Sequence, residues 1–196
     1  MSTFLTIQVE SEAEFKDRKS RFVAYTFHVS DKKKVEEILS ELKSNHPKSR
    51  HVCYAYILNN GEYRANDDGE PSGSAGLPIL NQIKSVNVVN VLVAVVRYFG
   101  GTKLGVSGLI NAYKTSAYDA LETSGQVARE ETLKLLIKFD YALMEAVMSF
   151  LKKIDAEIEN NIYEEKCTLY FRSKKSQHHE ITQYFGDLGI SVKEAT

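Results

Sequence analysis

The chain has 196 residues but only two cysteines, three prolines and no tryptophan. Cys53 and Cys167 form no CxxC pair, which excludes a disulfide framework and a cysteine-based zinc site. No run of 18 apolar residues occurs, so no transmembrane helix is expected. The first ten residues lack the basic start and long apolar stretch of a secretory signal. The expectation is a soluble protein of the reducing cytoplasm with no membrane partner. An excess of one charge is missing too: 25 Lys+Arg against 26 Asp+Glu leaves a formal charge of −1. That excludes a uniformly basic nucleic-acid binder and an acidic disordered tail. What is present is core material. Apolar residues make up 43%, with 11 Tyr and 9 Phe, which suits one large domain or two modest ones.

The middle of the chain differs from its flanks. No Asp or Glu lies between Glu70 and Asp119, a window that holds Lys84, Arg97, Lys103 and Lys114, a local charge of +4. Eight of the 11 glycines fall in residues 61–108.

Periodicity predicts strands at Phe4–Val9 and Arg21–Val29. A helix capped at Ser30 or Asp31 follows to about Leu42, and Pro47 blocks its continuation. His51–Leu58 is a strand, Asn59-Asn60-Gly61 a hairpin turn and Glu62–Ala65 its return strand. A helix is expected from about Ala75 to Ile83, with Pro78 tolerable in its first turn. Val88–Val96 is too apolar to alternate and reads as a strand buried on both faces. A long helix, Leu104–Thr123, stops at Gly125. The pattern then restarts as β-α-β-β-α-β: Thr132–Phe139, Ala142–Ile154, Glu157–Tyr163, Lys166–Phe171, Ser176–Leu188 and Ile190–Lys193. That order fits a ferredoxin-like fold. The expected class is α+β in two domains, 1–127 and 128–196.

Two stretches carry candidate chemistry. In the first, Asp67, Asp68 and Glu70 precede Ser72, Gly73 and Ser74. Three carboxylates within four residues suit a divalent cation or, if burial raises one pKa, acid–base work. Acids ahead of a helix equally suit its positive end and free N–H groups, and that capping role is favoured over metal binding. Pro71 and Gly73 break the EF-hand spacing. In the second stretch the apolar strand runs through Arg97 and Tyr98 into Gly100, Gly101, Lys103 and Gly105, with a helix beyond. Glycine permits close backbone approach, and a helix start attracts anions. Neither a Walker A loop nor a Rossmann fingerprint is present. A tight strand–helix junction accounts for these glycines equally well. If both helix starts share one end of a sheet, the two stretches form one groove, acidic on one side and basic on the other, suited to phosphate or carboxylate.

Other features carry less. His51 and Cys53 share a strand face, but no third group orients them, and core packing of Cys53 is the favoured reading. His178 and His179 diverge on a helix. The basic stretch Lys16–Arg21 reads as a charged edge or as phosphate contacts. Arg21, Arg97, Lys103 and Lys114 are the candidate nucleic-acid contacts. No catalytic residue, metal site or cofactor is assigned.

DDGEPSGSAGLPIL (67–80) and VVRYFGGTKLGVSGLINAY (95–113) resemble the paired signature of the IMPACT family, its bacterial YigZ-like members in particular. KSRF (19–22) and HVCYAY (51–56) resemble two further family stretches in the same order. The resemblance spans the whole chain. It implies a first domain like the second domain of ribosomal protein S5, a sheet with helices on one face. It implies a second domain like the last domain of elongation factor G. Both point to translation, with RNA, the ribosome or a translation-related protein as partner, and to binding rather than catalysis. Peptidase labels carried by some relatives find no His/Asp/Glu ligand set here. Ser107 and Asn111 depart from the family's Gly and Arg.

The leading expectation is a non-enzymatic binding protein linked to translation regulation, acting through the Gly-rich groove. The alternative is a metal-assisted enzyme on a phosphorylated or peptidyl substrate, with Asp67, Asp68 and Glu70 opposite Arg97 and Lys103. Protein–protein regulation is a third reading. Oligomeric state is left open.

Overall fold

A computed structural model describes residues 3–195, which form two compact units, Phe4–Ala128 and residues 129–195 with Thr3. In chain order the first unit holds β1 (Thr3–Ile7), β2 (Ser11–Asp17), β3 (Ser20–His28), α1 (Lys32–Asn45), β4 (His51–Ile57), β5 (Tyr63–Asn66), α2 (Gly76–Ser85), β6 (Val91–Tyr98) and α3 (Gly105–Ser124). β7 (Gln126–Glu130) pairs with β1.

The unbroken apolar run VLVAVVRY explains the first unit. It becomes β6, the middle strand of an antiparallel sheet ordered β2-β3-β6-β4-β5, and its residues are buried on alternate faces. Val91, Val93 and Val95 join a cluster with Phe22, Cys53 and Ala55, covered by α2 and α3 through Ile79, Ile83, Leu109 and Ala117. Leu92, Ala94 and Val96 join the opposite cluster with Val35, Ile38 and Leu42 of α1. The expected one-sided arrangement therefore holds for α2 and α3, while α1 covers the other face.

β2 carries no apolar run. It is an edge strand whose residues alternate between half-buried and exposed. A two-residue turn at Arg18 and Lys19, both with left-handed φ of 43° and 65°, returns it into β3. α1 starts where expected: the Asp31 carboxylate accepts from the Lys34 N–H at 2.9 Å.

The second unit runs β8 (Thr132–Phe139), α4 (Met144–Lys153), β9 (Glu157–Tyr163), β10 (Cys167–Lys174), α5 (His178–Asp187) and β11 (Val192–Glu194). Short 3₁₀ turns lead into both helices. The antiparallel sheet order β11-β8-β10-β9 is that of a ferredoxin-like fold. Leu135, Ile137, Leu169 and Phe171 face Val147, Phe150, Ile181 and Phe185 from the helices. No helix among the described residues is long and apolar enough to cross a membrane.

Candidate functional site

Arg97 stands near the C-terminal end of β6. Its register partners are Phe22 on β3 and His51 on β4, so three side chains lie abreast on the face covered by α2 and α3. A guanidinium buried in an apolar core needs a countercharge and further hydrogen-bonded support. Glu70 supplies the charge. The two side chains are 6% and 4% exposed, and Arg97 Nη1 pairs with Glu70 Oε1. The Tyr113 hydroxyl of α3 donates to the same oxygen at 2.8 Å. The guanidinium carbon lies 5.5 Å from the Phe22 ring and 5.7 Å from the Phe99 ring. Arg97 Nε is buried without a hydrogen-bond partner.

The first Gly-rich loop exists to aim Glu70 inward. The Asp67 carboxylate accepts the Gly73, Ala75 and Gly76 N–H groups at 2.9, 3.0 and 2.8 Å, which closes the loop on itself and satisfies the start of α2. Asp68 accepts the Val52 N–H at 2.7 Å and a Lys43 ammonium hydrogen at 3.2 Å, pinning the loop to β4. A Cβ on Gly76 would come within 2.5 Å of the Asn66 backbone, so only glycine lets α2 start against β5. The second loop has a counterpart in Gly100. Its missing Cβ would overlap the Lys19–Ser20 backbone, and its N–H donates to Ser20 Oγ at 3.2 Å.

Between the loops lies a recess of about 550 Å³, within the range of small-molecule sites. Glu70 and Pro71 line it from the first loop; Arg97, Phe99, Lys103, Leu104, Gly105 and Val106 line it from the second. Arg50, His51 and Leu109 complete it. The structure thus brings Glu70, Arg97, Lys103 and Gly105 together. It does not bring the other candidates there. Asp67 and Asp68 brace the loop, and Ser72 is exposed. Gly73 donates to Asp67, and Ser74 is buried with its hydroxyl on the Pro71 carbonyl at 2.6 Å. Gly100 and Gly101 stand outside the lining.

Tyr98 requires a correction. Neighbouring strand residues point to opposite faces, so Tyr98 leaves the Arg97 side and its hydroxyl meets His46 Nδ1 at 2.6 Å near α1. Arg21 is exposed, pairs with Glu14 and lies over the Tyr98 ring at 5.2 Å. Lys114 is exposed on α3 and does not line the recess. Arg50, His51, Phe99 and Tyr113 were not foreseen as parts of this site. For His51 the signal was available, since strand alternation places it on the face of Cys53.

The donor set does not suit a metal ion. Both Asp67 oxygens and both Asp68 oxygens are taken by internal donors, and Glu70 Oε1 is held by Arg97 and Tyr113, which leaves only Glu70 Oε2 without an internal donor among the described residues. Among the described residues no group of three or more His, Cys, Asp or Glu is placed to hold one. Cys53 lies 3.0 Å from the Asp67 carbonyl oxygen and 3.3 Å from the Tyr113 hydroxyl. Burial pushes its thiol well above the usual thiol range and does the same to the Tyr113 phenol. Both stay protonated, so Cys53 is a packing residue and not a thiolate nucleophile.

A family model described as the Impact N-terminal domain matches residues 18–121, which include β3, both loops and nearly all of α3. The chain belongs to the IMPACT family. The IMPACT family member YvyE of Bacillus subtilis is 34% identical over 163 residues, covering 82% of this chain and 72% of that protein. YigZ of Escherichia coli is 28% identical over 151 residues, covering 75% and 74%. A solved structure of a hypothetical protein superposes with TM-score 0.78 over 100% of this chain and 98% of that one, at 24% identity, a likeness of fold.

Proposed function

We propose that this IMPACT family chain is a binding protein of translation that holds RNA through the recess at the end of β6. The observation that carries the reading is the composition of the rim. Arg50 and Lys103 are exposed there and make no ion pair among the described residues. Phe99 beside them is half exposed. Cations that track phosphates next to an aromatic face for a base form the usual platform for single-stranded nucleic acid. The likeness to parts of the translation machinery that the family resemblance implies for both domains supports RNA over other anions.

Few cations are available, so affinity is modest and salt-sensitive. Filter binding with single-stranded and structured RNA at low salt, together with co-sedimentation with ribosomes, tests the reading. Saturable binding that favours single strands is the expected result. Absence of both saturable binding and co-sedimentation overturns it. The enzymatic alternative would need several carboxylates open to a metal, and the hydrogen bonding of both oxygens of Asp67 and Asp68 argues against it.

A further inference from the structure

The floor of the recess presents two hydrogen-bond acceptors side by side. His51 Nδ1 lies 2.7 Å from the Asp68 backbone oxygen, which can only accept, so Nδ1 carries the hydrogen. In the neutral ring, Nε2 is then an acceptor, and it faces Glu70 Oε1 at 3.9 Å. Glu70 Oε1 already accepts from Arg97 and Tyr113, while Oε2 accepts no hydrogen bond among the described residues. Two acceptors turned toward the same space with no protein donor between them are open to donors brought by a ligand or water. The half-exposed Phe99 ring and the cations Arg50 and Lys103 line the same recess. The complement of this recess carries two adjacent donors, a flat ring and an anion.

We infer that the recess reads guanine, as a base within bound RNA, and this rests on the RNA-binding reading above. Guanine presents N1–H and N2–H₂ as adjacent donors on its Watson–Crick edge. N1–H donates to the Glu70 carboxylate and N2–H to His51 Nε2, with the base against Phe99 and its phosphate at Arg50 and Lys103. The other bases fail on the same edge. Adenine and cytosine set an acceptor nitrogen beside their amino group. Uracil offers one N–H between two carbonyls. Each brings an acceptor against an acceptor, and a site built to pair donors rejects ligands that leave it unpaired.

Inosine is the discriminating probe, since it is guanosine without the N2 amino group. Titration of the full chain with GMP, IMP, AMP, CMP and UMP is expected to give GMP about tenfold tighter binding than AMP, CMP or UMP, with IMP in between. An oligonucleotide whose single guanine is replaced by inosine repeats the comparison in RNA. In His51→Ala the GMP and IMP affinities converge while GMP still exceeds AMP. Equal affinity for all five nucleotides, with RNA binding intact, overturns the guanine reading and leaves the RNA reading standing. A GMP–IMP gap that survives in His51→Ala overturns the role of His51. Loss of RNA binding altogether removes both.

Discussion

The two units handle charge in opposite ways. The first buries a full ion pair, Arg97–Glu70, and surrounds it with Tyr113, His51 and two aromatic rings. Among its described residues the second buries no charged side chain, and its ion pairs, such as Lys134–Glu159, Arg172–Glu159 and Lys175–Glu131, sit on the partly exposed outside. Burying ions costs several kcal/mol each by desolvation, and apolar residues of like volume often hold a fold at least as well. The second unit shows that this chain builds a core without such a pair. The polar floor of the first is therefore better explained by what it faces, an open recess, than by stability.

Breaking the ion pairs separates the two regions most strongly. Glu70→Ala leaves the Arg97 charge buried without a partner and is expected to lower stability by about 3–5 kcal/mol in urea unfolding. Glu159→Ala removes an exposed partner of Arg172 and Lys134 and is expected to leave the urea midpoint unchanged within error. A large effect of Glu159→Ala would erase the contrast.

Glycines sharpen the comparison at smaller scale. Gly100→Ala forces a Cβ into the Lys19–Ser20 backbone and is expected to cost about 1–3 kcal/mol. Gly186 lies within α5, and an added Cβ there meets nothing within 4 Å. Gly186→Ala is expected to stabilise by about 0.5–1 kcal/mol. Smaller again is the effect of Cys53. Its folded thiol titrates above the unfolded value, so the folded state keeps a proton that the unfolded chain loses. That contribution is complete below about pH 8.5 and declines as pH rises beyond it. Stability of the wild type should fall with alkaline pH more steeply than that of Cys53→Ala. Alkylation of Cys53 at pH 8 should proceed only as fast as the unit opens.

Much of this was legible in the residues. The β8 and β9 spans fall where their patterns put them, and the run through Val96 marked the central strand. β2 was missed because SEAEFKD carries one large apolar residue, as an edge strand needs, and the turn at Arg18 and Lys19 has no Gly or Asn to announce it. β7 was missed because Gln126–Glu130 exposes nearly every residue. At the recess, glycine marked both loops, since close approach leaves a trace in composition. The roles of Asp67 and Glu70 did not separate in sequence. Both are acids before a helix, and only the fold decides that one caps α2 and the other meets Arg97. Tyr98 could have been placed by alternation alone. His51 could be placed on the Cys53 face by the same alternation, whereas Arg50 lacked any signal tying it to loops 20 and 50 residues away.

The most direct test of the account is the salt dependence of single-stranded RNA affinity in the wild type and in Arg50→Ala/Lys103→Ala. Removing two phosphate contacts should weaken binding across sequences and reduce the slope of log affinity against log salt by about 1.4. An unchanged slope in the double variant would place the RNA elsewhere on the molecule and contradict the account.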